Sequence, residues 1–98
     1  MKVVFNPEAE AEFLDSVDYY EAQSPGLGET FREAVNDAVM QAALLPLLSP
    51  VYSGRIRRCL VHRFPYGIFY NVQPGCVYVV AVMNLRRRPG YWKHRKLV

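Results

Sequence analysis

The chain has 98 residues, 51% of them hydrophobic, and a formal net charge of +3. That predicts one domain over residues 1–98 with a single core, too apolar for a disordered tail and too short for a two-domain cofactor enzyme. No run approaches the ~18 apolar residues of a membrane span, and no basic-then-apolar leader opens the chain. Together with Cys59 and Cys76, isolated in apolar runs, this predicts a cytoplasmic protein with neither a disulfide framework nor a zinc site.

Met1 to Phe5 reads as a short strand, Val3, Val4 and Phe5 favouring extended backbone. Asn6-Pro7 then starts a helix, with Asn as cap, Pro at the first helical position, and Glu8 and Glu10 in the turn where carboxylates meet the helix dipole. Ala9, Phe13, Val17 and Tyr20 form its apolar stripe, with the acids largely off it and expected in solvent. Ser24-Pro25-Gly26 ends this helix, and Gly28 keeps the connection loose. A second helix over roughly Leu27–Leu45 carries the stripe Phe31, Val35, Ala38, Ala42 and Leu45, and Pro46 stops it. The short connection predicts an antiparallel helical hairpin whose apolar faces need a further partner.

That partner is the C-terminal half. Pro50 to Gly54 reads as a loop, and Arg55 to Arg63 alternates as a strand. Pro65 breaks it, and Tyr66 to Gln73 and Cys76 to Met83 form a hairpin about Pro74-Gly75. The last strand is apolar on both faces, as a covered central strand would be. The predicted fold is α+β: an N-terminal strand, then an antiparallel helical hairpin packed on a mainly antiparallel four-stranded sheet, then a short C-terminal helix or tail. Phe13, Val17, Phe31, Val35, Ala38, Ile68, Val79 and Ala81 should lie in the core.

Charge is segregated along the chain. All nine acids lie in residues 1–37, beside only Lys2 and Arg32, for a net charge of −7. Residues 38–98 hold ten bases and no acid. Even if the halves partly neutralise each other, a basic face should remain for an anionic or acidic partner. His62 and His94 have no acids near them in sequence, so neither a metal set nor a serine triad is indicated. No glycine-rich loop precedes Lys-Ser or Lys-Thr, so there is no P-loop, and no cofactor is expected. What remains is a cationic and aromatic set: Arg55, Arg57, Arg58, Arg63, Tyr66, Tyr70, Arg86, Arg87, Arg88, Tyr91, Trp92, Lys93, His94 and Arg95. Arginines grip phosphates or carboxylates in a fork, and rings stack on bases.

Phe64-Pro65-Tyr66-Gly67-Ile68-Phe69-Tyr70-Asn71-Val72, the apolar run Val77 to Val82, and Arg86-Arg87-Arg88-Pro89-Gly90-Tyr91-Trp92-Lys93-His94-Arg95 together resemble the RelE/ParE superfamily of type II toxin–antitoxin toxins. The family pattern there is F-P-Y-h-h-h-Y-x-V (h apolar), an apolar strand, then a-x-H-x-x-R-D-P-x-Y-W-x-x-R. Asn6-Pro7-Glu8-Ala9, Glu12, Tyr19-Tyr20, Gly28 and Phe31 are similar to the family's helical hairpin. Two positions depart: the usual His is Asn84, and the usual Asp is Arg88.

The resemblance implies a growth inhibitor neutralised by a cognate antitoxin, with which it forms an oligomer. It also implies one of two targets. One branch inhibits DNA gyrase and is not known for hydrolysis. The other cleaves mRNA on the ribosome without metal. In that branch an Arg commonly stands where this chain has Gly67, and strand lysines correspond to Arg58 and Leu60. Gly67 and Asn84 favour a gyrase inhibitor or a non-toxic domain over a nuclease, and the gyrase inhibitor is the leading expectation. The alternatives are a ribosome-dependent endoribonuclease, with Arg87 and Tyr91 as catalytic residues, and a non-toxic nucleic-acid-binding or adaptor domain. On any reading the expected target-binding residues are Arg58, Arg63, Arg86, Arg87, Trp92 and Arg95. They should converge if the tail after Met83 folds back towards the basic row of the sheet.

Overall fold

The structure is a computed structural model and describes residues 1–95. Its elements run β1 (Lys2–Phe5), α1 (Pro7–Gln23), α2 (Leu27–Leu44), β2 (Val51–Ser53), β3 (Ile56–Leu60), β4 (Tyr66–Gln73) and β5 (Cys76–Asn84). The predicted α+β arrangement is present, with the helical hairpin on one face of the sheet. The sheet has five strands rather than four, in the order β1-β5-β4-β3-β2. β1 is parallel to β5, and the other pairings are antiparallel. The extra strand, β2, lies in the segment expected to be a loop. Three residues between Pro50 and Gly54 suffice for a short edge strand, because Gly54 adopts the left-handed conformation that turns the chain into β3. β3 is shorter than the alternation of Arg55–Arg63 predicts. Arg63 has φ 72°, and the Val61 N–H bonds to the Tyr66 carbonyl, so the chain is already turning there.

Asn6 caps α1 by accepting from the Glu8 N–H at 2.8 Å, and its own amide donates to the Tyr78 hydroxyl at 3.2 Å. The start of α1 is thereby fastened to β5. α2 has no side-chain cap of its own. Its free N–H groups are met instead from α1: the Glu21 carboxylate accepts from Gly26 and Gly28 at 3.0–3.1 Å. Gly28 is therefore not a loose connector. A Cβ there would lie 2.7 Å from the Val17 carbonyl oxygen and 2.8 Å from the Glu21 Cβ, so glycine is what lets the helices touch.

The core between hairpin and sheet contains Phe13, Val17, Phe31, Val35, Ala38, Ile68, Tyr70, Val77, Val79 and Val82. A smaller cluster on the opposite face contains Ile56, Phe69, Val80, Ala81, Met83 and Trp92. β5 supplies both because it is bulged. Phe69 pairs with Ala81 and Tyr70 with Val79, leaving Val80 as the extra residue. Val80 and Ala81 consequently share a face, and Val82 returns to the helical side. After Asn84 the described chain forms turns rather than a helix, so of the two predicted forms it takes the tail. The tail crosses the second face and seals it with Trp92. No described helix is long and apolar enough to cross a membrane.

Candidate functional site

The tail is anchored at both ends. At its start, Leu85 N–H donates to the Pro65 carbonyl at 2.8 Å, and the Asn84 side chain accepts from Arg86 N–H at 2.9 Å. At its end, Trp92 is only 3% exposed and packs on Phe69, ring centroids 5.4 Å apart. Between these anchors Arg86, Arg87 and Arg88 project on an exposed loop.

The far end is also held electrostatically, by Glu12 of α1. This carboxylate's side chain is 15% exposed, not solvated as its helix face predicts. It accepts from Val82 N–H at 3.1 Å, from both terminal nitrogens of Arg95 at 3.0 and 3.1 Å, and from the Tyr91 hydroxyl. Arg87 Nη1 stands 4.0 Å away, and its guanidinium lies over the Tyr91 ring, 4.0 Å from the centroid. The Tyr91 hydroxyl is strongly held in its protonated form, first by burial and then by the hydrogen bond to Glu12 and that residue's charge. Glu8 adds an ion-pair contact to Arg95 Nε at 3.5 Å and lies 3.9 Å from His94 Nε2.

An open groove of about 610 Å³ runs beside this knot, between α1 and the ends of β4 and β5. Arg86 and Arg87 line one wall and Asp15, Ser16 and Tyr19 the other. Arg58 and Arg63 do not join it. Arg58 lines a separate groove with Leu48, Cys59 and Leu60 and lies over the Tyr52 ring at 5.2 Å. Arg63 is exposed on the turn after β3.

The predicted set thus divides. Arg86 and Arg87 are brought together and exposed; Arg58, on β3, and Arg63, on the turn after it, stand apart from them. Trp92, expected among the contact residues, is buried as the cover of the second sheet face. The Arg95 side chain is 6% exposed and is engaged by Glu12 and the Val80 carbonyl. The sequence reading missed Glu12 itself. The available signal was its place three residues after Ala9 and one before Phe13, at the edge of the buried stripe. Gly67 also acquires a structural role. A Cβ there would lie 3.0 Å from the Phe69 ring, 3.3 Å from Arg58 Cγ and 3.3 Å from Leu85, so the position is roofed by its neighbours. Among the described residues no group of His, Cys, Asp and Glu comes together to hold a metal.

Comparison with known proteins yields one family: the ParE toxin of the type II toxin–antitoxin system, parDE, matching residues 3–89. That span includes Glu12, Arg86 and Arg87 and stops before Tyr91. Among solved structures the chain is similar to one titled the chromosomal ParDE TA system from P. aeruginosa. The identity is 19% and the TM-score 0.62, over 86% of this chain and 95% of that one, a likeness of fold. No curated protein matches.

Proposed function

Because the chain belongs to the ParE toxin family of parDE type II toxin–antitoxin systems, we propose that it arrests growth in the cytoplasm by binding DNA gyrase, and that a cognate antitoxin neutralises it. The observation that carries the choice of target is the engagement of Tyr91. Its hydroxyl already donates to Glu12 and is held protonated, so it is poorly suited to proton abstraction from a ribose. Gly67 adds support, since the place of a nuclease arginine is covered by Phe69, Arg58 and Leu85. Inhibition by binding needs no such base. It needs a presented surface, and the exposed Arg86–Arg88 loop, with Arg86 and Arg87 lining a groove, offers guanidinium groups to an acidic or anionic patch.

An antitoxin has a second feature to engage. Residues 38–54 contain no charge, and they leave Met40, Leu44, Leu45, Leu47 and Leu48 exposed. Their backbone is pinned, with the Tyr70 hydroxyl donating to the Pro46 carbonyl at 2.7 Å and Arg57 donating to the Leu47 and Ser49 carbonyls. A rigid exposed apolar ledge beside basic strands suits an acidic, apolar segment that folds on binding.

The test is induced expression with separate readouts of DNA supercoiling and mRNA cleavage. Loss of supercoiling with intact mRNA is expected, with Arg87→Ala weakening the effect at unchanged thermal stability. Ribosome-dependent mRNA cleavage with normal supercoiling would overturn the proposal in favour of the endoribonuclease reading. Growth that continues on induction would favour the adaptor reading.

A further inference from the structure

β1 pairs with β5 only as far as Val79. Beyond that point β5 has no strand partner on the β1 side, and the groups left there include the Val80 carbonyl and the Val82 N–H. A buried edge group left without a partner is costly. Here a side-chain pair takes the place of the missing strand. Glu12 accepts from Val82 N–H at 3.1 Å, and Arg95 donates to the Val80 carbonyl at 3.0 Å. Glu12 and Arg95 bond to each other through two contacts of 3.0 and 3.1 Å. The same carboxylate also receives the Tyr91 hydroxyl. One residue of α1 therefore closes the sheet edge and clasps the end of the segment that begins at Leu85.

We propose that Glu12 is a positioning residue for toxicity: it holds the Arg86–Arg88 loop closed in its target-binding form without itself touching the target. The inference rests on the reading of that loop as the inhibitory surface. The residues Glu12 holds, Tyr91 and Arg95, lie C-terminal to the loop, and the Asn84 anchor lies N-terminal to it. With Glu12 neutralised, the Leu85 and Asn84 anchors still fix the start of the tail, and Trp92 packing, the Arg95 bond to the Val80 carbonyl and the Glu8 contact still hold its end, but the carboxylate that joins Tyr91, Arg87 and Arg95 is lost and the loop samples more open forms. Binding must then re-order the loop and its arginines, which lowers affinity through lost preorganisation. Arg87 feels the change twice. It loses the nearby carboxylate at 4.0 Å and the fixed ring beneath its guanidinium.

The experiment compares Glu12→Gln, Glu12→Ala and Arg87→Ala in the full chain. Three readouts are taken: thermal stability, hydrogen exchange by peptide, and growth arrest on induction, with purified gyrase inhibition alongside. Glu12→Gln keeps one acceptor oxygen, enough for Val82 N–H, but places an NH2 donor where the second carboxylate oxygen meets Tyr91 and Arg95 and loses the charge, so its effect should fall between wild type and Glu12→Ala. Exchange should accelerate in residues 80–95 and stay unchanged in residues 66–76. Potency should fall roughly 10- to 100-fold, in step with loop exchange rather than with stability. Arg87→Ala should lower potency with exchange unchanged. Tyr91→Phe, which removes one donor only, supplies the milder variant should Glu12→Ala fail to fold. Faster exchange with full potency, or unchanged exchange in Glu12→Gln, overturns the proposal. If the wild type arrests growth without inhibiting gyrase, the target assignment fails, whereas growth arrest and exchange across the variants still decide the role of Glu12.

Discussion

Phe31 is the residue on which the hairpin and the sheet agree most closely, and its truncation has a calculable consequence. Its ring is fully buried, with centroids 4.9 Å from Tyr20, 5.1 Å from Phe64 and 4.8 Å from Tyr66. These rings come from α1 and from the chain entering β4, so Phe31 joins three parts of the fold. Phe→Ala at a buried site costs about 3–5 kcal/mol, more where the surroundings cannot collapse. Here Tyr66 is tethered through its hydroxyl to Ser16 at 3.1 Å, and the cavity should persist. The upper half of the range is therefore expected, against a total stability of roughly 5–15 kcal/mol for a domain of this size. A melting point lower by roughly 16–40 °C follows from the usual slope. Urea melts followed by circular dichroism, at an unchanged m-value, measure the difference directly. A loss under about 1 kcal/mol would refute the reasoning that the ring cluster ties hairpin to sheet.

Gly28→Ala should destabilise by about 1–3 kcal/mol despite the better helix propensity of alanine, because its methyl meets the Val17 backbone oxygen; equilibrium melts decide this. Tyr91 has a raised folded-state pKa, from burial and then from Glu12, so its stabilisation is complete below its ordinary pKa near 10 and is lost as pH rises beyond it. A stability-against-pH series should show a decline above pH 10 that is reduced in Tyr91→Phe, and Tyr91→Phe should itself cost about 1–2 kcal/mol at pH 7. Association with the antitoxin should slow as salt is added, since the basic excess steers encounter; a salt-independent on-rate in stopped-flow measurements would count against it.

Much of the fold was legible because two periodicities are strong. The stripes of α1 and α2 place Phe13, Val17, Phe31, Val35 and Ala38 inside, as expected from their spacing, and Ile68, Val79 and Ala81 follow from the apolar strands. Local composition said less where a single residue changes the count. The Val80 bulge was invisible in a run of uniformly apolar residues, and β2 is too short for alternation to declare itself. The site was half legible. Arg86 and Arg87 could be picked out as a basic cluster, and they are exposed together. Trp92 and Arg95 look like contact residues in a list of cations and rings, yet the structure uses both internally. That distinction depends on which sheet face lacks a cover and which edge lacks a strand, and these are properties of the tertiary fold.

Charge segregation illustrates the same point. The two halves do meet, but the meeting is local. Glu8 and Glu12 of α1 face Arg87, His94 and Arg95 of the tail. Among the described residues, Arg55, Arg63, Arg86 and Arg88 form no ion pair, and the Arg57 guanidinium is bonded only to neutral carbonyls. Nor do Asp15, Asp18, Glu33 or Asp37 form an ion pair within this described set. Neutralisation thus occurs where it organises the tail, and it leaves separate acidic and basic surfaces elsewhere. A fold seeking only internal compensation would pair more of these groups. The basic surface that remains, on the loop after β5 and on the β3 side of the sheet, lies outside the Glu12 knot, where a partner's carboxylates or an anionic target can reach it.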